Sequence, residues 1–241
     1  MTHTDVYYSG KAKTVYRAAS PDELLMEFRD DITAFDGSKQ TALTGKGACN
    51  ARVSAFLFTC LEEHGVRTHF LRMDGPTTMA VRRLEMIPLE VIVRNIATGS
   101  LVKRYPFEEG RPLNPPVMII DYKDDARHDP MVNSDIILAL GLLTAGELAE
   151  VREIAWRVNT ILSRYFASRG ISLVDFKLEF GRSNSDIILG DEISMDSMRL
   201  WDRETGASLD KDVYRFERGD VMDAYRSAAH RILPDDGGRT G

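Results

Sequence analysis

In a chain of 241 residues there are only two cysteines, two tryptophans and five histidines. Cys49 and Cys60 fall in what reads as one helix, about 16 Å apart along its axis, so they cannot join as a disulfide and read as small buried apolar residues. The histidines are scattered, without the spacing of a metal-ligand set. No apolar run approaches the roughly 18 residues of a membrane span, and the opening MTHTDVYYSG carries no cleavable-signal pattern. The expectation is a cytoplasmic protein with no membrane partner. Base is in deficit, with 31 Lys and Arg against 37 Asp and Glu, for a net charge of −6. That balance argues against a general nucleic-acid binder and leaves room for a local basic pocket. The P-loop spacing GxxxxGK followed by Ser or Thr is missing, as is GxGxxG after a strand. The HRD and DFG strings of protein kinases are missing too.

What is present suits an ordinary globule: 43% hydrophobic residues, and enough length for one large domain or two tightly packed lobes. The organising stretch is 171–202. Val174, Phe176, Leu178 and Phe180 alternate with Asp175, Lys177 and Glu179, so one strand carries three charges on one face. A polar turn over 181–185 and the apolar run 187–189 complete a β-hairpin, which returns Asp191 and Glu192 towards Glu179. Carboxylates on neighbouring strands repel unless a cation sits between them. Mg²⁺ characteristically takes one or two carboxylates and leaves its other positions to water and phosphate. Glu179 and Asp191 are therefore the candidate metal ligands. A two-residue turn at Asn184 and Ser185 would put them on opposite faces, whereas a bulge at Gly190 or a three-residue turn restores them to one. The competing reading is a solvated sheet face with alternating charge; the acid-rich GDE turn followed by Arg199 and Trp201 favours a site.

Along the chain, 6–17 reads as strand, tight turn and strand. Gly10 lets the backbone bend, and Lys11 and Lys13 share a face unless the turn twists them. Such a turn can hold polyphosphate through backbone N–H groups and point charge, and it can equally be a surface hairpin tip. Residues 24–29 form a short strand, followed by an acidic loop with Asp30, Asp31, Asp36 and Gly37. Gly45, Lys46 and Gly47 precede a helix over 48–64, where open N–H groups would suit an anion or the glycines are merely loop. Strands follow at 66–73, 79–86 and 89–95. Pro88 interrupts the run and marks the expected lobe boundary, 1–86 against 87–241. Arg94, then Ser100 at a turn into a short helix, suits a phosphate. A proline-bearing loop over 105–116 leads to a buried strand at 117–122 and to Lys123. The charged loop 124–129, with His128 and Asp129, is a candidate ligand loop. Thr144 and Glu147 form a capping box that opens a long amphipathic helix. Short helices near 211–216 and 221–232 close the chain before a glycine-rich tail.

Five strings occur in unbroken order: YSGKAKTVY at 8–16, VRNIATGSLVKRY at 93–105, HDPMV at 128–132, LVDFKLEFG at 173–181 and LGDEISMDSMRLWD at 189–202. Together they resemble the phosphoribosylaminoimidazole-succinocarboxamide synthase (SAICAR synthetase) family. The resemblance implies an α+β fold of two lobes, mainly antiparallel sheets with flanking helices and an ATP cleft between them. It implies a ligase of purine biosynthesis that joins L-aspartate to carboxyaminoimidazole ribonucleotide with ATP and Mg²⁺, through an acyl phosphate, in a homodimer. Carried onto this chain, Gly10, Lys11, Ala12 and Lys13 would hold the ATP phosphates, and the connection from Arg83 to Met86 would meet the adenine. Glu179 and Asp191 would bind Mg²⁺. Arg94, Ser100 and Arg199 would grip the ribonucleotide. Lys123, Asp129, Asp175 and Lys177 would be the charged catalytic groups. Asp36 and Lys211 would contact aspartate or the nucleotide. Two other readings use the same cleft: a small-molecule kinase that stops after phosphoryl transfer, and a silent nucleotide sensor.

Overall fold

The computed structural model describes residues 5–34 and 38–234. Its first half runs β1 (Val6–Ser9), β2 (Lys13–Arg17), β3 (Glu23–Phe28), β4 (Asp31–Ala34), β5 (Lys39–Ala42), α1 (Lys46–Glu63), β6 (Phe70–Met73) and β7 (Thr78–Arg82). Five of these strands form an antiparallel sheet in the order β1-β2-β3-β7-β6, and β4 with β5 makes a separate hairpin. Leu24, Met26 and Phe28 alternate along β3, so they share a face, and with Met79 and Val81 they join the core under Val53, Leu57, Phe58 and Leu61 of α1. Full burial of each such side chain stabilises by about 1.5–3 kcal/mol. The start of α1 is not an open anion site: the carboxylate of Asp30 accepts from Gly45 N at 3.1 Å and from Gly47 N at 2.9 Å. Gly47 is obligatory for another reason, because a Cβ there would collide with the Phe28 carbonyl.

The second half comprises β8 (Glu85–Ile96), α2 (Ser100–Arg104), β9 (Pro112–Tyr122), α3 (Ser134–Ala139), α4 (Ala145–Ser168), β10 (Ile171–Ser183), β11 (Asp186–Gly190), β12 (Met198–Asp202), α5 (Asp212–Arg215) and α6 (Val221–Ile232). β10 is the spine of its sheet. It pairs with β8 along one edge and, on the other, with β12 near its start and β11 near its end. The capping box at Thr144 and Glu147 is formed, and Leu148, Val151, Ala155, Val158, Leu162 and Phe166 of α4 are buried. Phe176, Leu178 and Phe180 of β10 belong to the same core, which leaves Asp175, Lys177 and Glu179 on the opposite face.

Two strand boundaries differ from expectation. Pro88 does not break the chain; β8 runs through it. Its missing N–H falls where the β8–β10 register shifts and just before β9 pairing begins at Leu89, so no ladder bond is lost there. The break lies instead at Arg83 and Leu84, between β7 and β8. Likewise β9 starts at Pro112, inside the expected loop, because a strand at the sheet edge tolerates prolines. The two sheets are joined by backbone bonds next to the hairpin: His69 N donates to Leu189 O at 2.9 Å, and Leu189 N to Arg67 O at 3.2 Å. Among the described residues, no helix is long and apolar enough to cross a membrane.

Candidate active site

The polar face of β10 carries two charge clusters, one at each end of a short stretch. At the hairpin end, Lys177 Nζ lies 2.7 Å from Glu179 Oε1 and 2.8 Å from Glu90 Oε1, which β8 places directly opposite Glu179. Lys123, just beyond β9, reaches the other oxygen of Glu179 at 2.7 Å. Lys13, at the start of β2, pairs with Asp191 and lies 3.0 Å from Glu192 Oε1. Four carboxylates thus meet three ammonium groups.

The hairpin reaches this arrangement by neither device expected of it. Ser183 faces Asp186 across a two-residue turn at Asn184 and Ser185, and Glu179 faces Gly190 without a bulge. Continued alternation would have sent Asp191 to the apolar side. Asp191 instead adopts left-handed backbone, φ 58°, which returns its carboxylate to the lysines. Burial alone would raise the Asp191 pKa; Lys13 and Lys177 outweigh it and hold the acid below its usual range. Burial likewise opposes the charge on Lys13 and Lys177, and their carboxylate neighbours overcome it, keeping both ammonium groups above the ordinary lysine value. His69, 3% exposed, is pushed down to about 4 mainly by burial, and hydrogen-bonds the Asp191 backbone as a neutral ring. Gly181 and Gly190 leave room for the connection above them: a Cβ at Gly181 would lie 2.7 Å from Leu84 Cβ, and one at Gly190 3.2 Å from Leu84 Cδ1.

The second cluster is built from arginine. Arg94 Nη1 donates to Asp175 Oδ2 at 2.6 Å and Nη2 to Ser100 Oγ at 2.9 Å. Arg199 Nη1 reaches the same Asp175 oxygen at 2.8 Å, while its Nε donates to Asp212 Oδ2 at 2.8 Å. Gly99, φ 59°, lets the backbone pass Arg199, whose Nη2 would sit 3.1 Å from a Cβ there. Burial lowers the Arg94 pKa; for Arg199 burial acts the same way but Asp175 and Asp212 outweigh it. Arg94 Nε has no partner among the described residues.

The remaining candidates are dispersed. Lys11 and Lys13 do not share a direction: Lys11 points outward to Asp125 at 3.4 Å. Asp129 turns into its own loop, accepting from Asp124 N at 2.8 Å. The Arg83 guanidinium lies 5.5 Å from the Tyr7 ring centre, and Met86 is exposed. Lys211 faces Asp196, and burial lowers its pKa. Asp36 lies outside the described residues. Sequence reasoning missed Glu90 and Asp212, whose roles depend on strand pairing and on a distant turn. It also missed Lys46, which is 1% exposed and 2.6 Å from Asp196, itself hydrogen-bonded by Tyr225 at 2.6 Å. Only the GKG string hinted at it. Among the described residues, no three acidic, imidazole or thiol groups converge as a ready metal cage.

A sequence model of SAICAR synthetase matches residues 6–232. The phosphoribosylaminoimidazole-succinocarboxamide synthase of Methanoculleus marisnigri is 60% identical over 97% of both chains, and that of Methanocaldococcus jannaschii is 52% identical over 93% of both. Among solved structures, a SAICAR synthetase in complex with ADP superposes with a TM-score of 0.93 at 49% identity, covering 95% of this chain and 97% of that one. The Ehrlichia chaffeensis phosphoribosylaminoimidazole-succinocarboxamide synthase gives 0.93 at 40% identity, covering 96% and 100%. With the sheets, the hairpin and both clusters on a frame shared this fully, the chain belongs to the SAICAR synthetase family.

Proposed function

We propose that this chain joins L-aspartate to carboxyaminoimidazole ribonucleotide, converting ATP to ADP and phosphate, in purine biosynthesis. The observation that carries the reading is the meeting of Lys13, from the glycine turn, with Glu179, Asp191, Lys123 and Lys177 in one cluster. A carboxylate is a poor electrophile, so one of its oxygens first attacks the γ-phosphorus and ADP departs. The aspartate amine then attacks the carbonyl carbon of the acyl phosphate, phosphate leaves with that oxygen, and the amine gives up a proton. Lys13 and the amides of Lys11 and Ala12, in the turn that Gly10 opens, hold the ATP phosphates, with the Lys11 ammonium as an outer point charge. Lys123 and Lys177 balance charge on the transferring phosphoryl group. Segment 83–86, ending at Met86, offers its backbone to the adenine.

Mg²⁺ fits the donor set, since the donors are hard oxygens and four carboxylates exceed three ammonium groups. Glu179 and Asp191 would hold it, with phosphate and water supplying the other ligands. Bound there it neutralises charge on the phosphates. Arg94, Ser100 and Arg199 grip the ribonucleotide, and Asp175 orients both guanidiniums. Asp36 and Lys211 are assigned to contacts with aspartate or the nucleotide, and Asp129 stays with Lys123, Asp175 and Lys177 among the charged catalytic groups. Two lobes, 1–86 and 87–241, close over the reactants and keep water from the acyl phosphate.

The test is phosphate release with ATP and the ribonucleotide, with and without aspartate. The ligase gives stoichiometric phosphate and amide only when all three are present. ATP turnover without amide would mean a kinase, and nucleotide binding without turnover a sensor; either result overturns the proposal.

A further inference from the structure

The turn that carries Lys11 and Lys13 is held from behind by a residue with no place in the chemistry so far. Arg29 follows β3 and turns its guanidinium into the concave side of the turn. Its Nη2 donates to Gly10 O at 2.6 Å and Lys11 O at 3.1 Å; its Nη1 donates to Lys13 O at 3.2 Å, Thr14 Oγ1 at 2.7 Å and Ser9 Oγ at 3.2 Å. Its backbone N donates to Ala12 O at 2.8 Å, so all four carbonyls of residues 10–13 meet this one residue. Nε donates to Asp31 at 2.7 Å, which fixes the plane of the fork. The base is equally fixed, because α1 begins against the same peptide: a Cβ on Gly47 would lie 3.2 Å from Arg29 C.

The geometry has a direct consequence for the opposite side. In a trans peptide the C=O and the following N–H point in opposite directions. Carbonyls of Gly10 and Lys11 drawn back to Arg29 therefore send the N–H groups of Lys11 and Ala12 outward, where neither meets an acceptor among the described residues. Successive outward amides form an anion-binding concavity. Within the turn itself the backbone supplies one closing bond, Gly10 N to Lys13 O at 2.9 Å, and β1 beside it is exposed along its whole length. Among the described residues, the other ties from this loop are the outward ion pairs of Lys11 with Asp125 and of Lys13 with Asp191 and Glu192, which do not hold its carbonyls. Only arginine offers five donors in a rigid fork; lysine has three on a single nitrogen.

We infer that Arg29 is the positioning residue of the nucleotide turn, holding its carbonyls back so that the amides of Lys11 and Ala12 face the phosphates. This rests on the reading of residues 10–13 as the phosphate holder. The experiment measures ADP affinity by calorimetry and the three substrate KM values for Arg29→Lys, Arg29→Met, Lys13→Met and Glu147→Gln. Arg29→Lys is expected to weaken ADP and raise the ATP KM about tenfold, the scale of losing one or two hydrogen bonds from a charged donor. The ribonucleotide KM and kcat stay within about twofold. Glu147→Gln, on α4, gauges general loosening and keeps wild-type ADP affinity. Should Arg29→Met fail to fold, the lysine variant still decides. An unchanged ATP KM, or an equal rise in all three KM values, overturns the inference. If Lys13→Met weakens ADP while Arg29→Lys does not, only the role of Arg29 fails. If Lys13→Met leaves ADP affinity intact, the phosphate-turn reading itself is wrong.

Discussion

Two charge clusters share one face of β10, yet they are built from different cations. At the hairpin end the cations are lysines, with Lys123 39% and Lys177 29% exposed. At the other end they are arginines, Arg94 only 4% exposed and forked between Asp175, Thr98 and Ser100. A lysine is a flexible point charge that can follow a phosphoryl group as it moves between partners, whereas a guanidinium fixed by carboxylates presents one shape. On the proposed function, the same alternating strand would provide an adaptable half for transfer and a preset half for recognition. What separates them is two residues of register and the choice of side chain.

The contrast can be broken from either side. Glu179→Gln is expected to cut turnover by about a thousandfold or more while the protein stays folded, and Asp191→Asn to demand more Mg²⁺; steady-state rates against Mg²⁺ concentration check both, and wild-type rates would remove the residue from the metal site. Arg94→Met strands the buried Asp175 carboxylate beside a single guanidinium and should cost about 3–5 kcal/mol in urea unfolding. Arg199→Lys keeps charge but loses the fork, so the ribonucleotide KM rises about tenfold to a hundredfold with little change for ATP. Equal effects on both substrates would contradict a division of labour. Lys123→Met should cost less stability than Arg94→Met, because Lys123 is itself partly exposed and Lys177 still pairs the buried Glu179, yet lower kcat. Smallest is Glu147, held down to about 2 by Arg182 and the Thr144 backbone against an ordinary 4.5. Its folded pKa is depressed, so its contribution is complete above pH 4.5 and lost as pH falls toward 2. Glu147→Gln should flatten that part of the thermal-melt pH profile.

The local patterns were legible in proportion to how local they are. Thr144 and Glu147 specify a helix start within four residues, and the alternation from Val174 to Phe180 specifies which side of β10 is wet. Pro88 misled because its effect depends on what lies across from it, and the sequence does not show that β9 ends at Tyr122, the partner of Leu89, one residue short of Pro88. Asp191 shows the same limit at the site. Counting residues through a two-residue turn puts it on the wrong face, and one left-handed backbone angle reverses the result. Glu90 was invisible as a partner of Lys177 until β8 and β10 were in register. Arg29 looked like the end of a strand, since nothing near it in sequence announces the carbonyls of residues 10–13.

The backbone bonds between Leu189 and residues 67 and 69 tie the first sheet to the hairpin one residue short of Gly190 and two short of Asp191. If the cleft opens to exchange nucleotides, these bonds are where the two sheets stay joined, the spine of the book. Pages hinged there would part most at Lys11 and Asp125, the exposed contact between the glycine turn and the charged loop, and least at the acids. The amides of His69 and Leu189 should accordingly be among the slowest in the molecule to exchange with heavy water, in the empty enzyme as well as in the closed one.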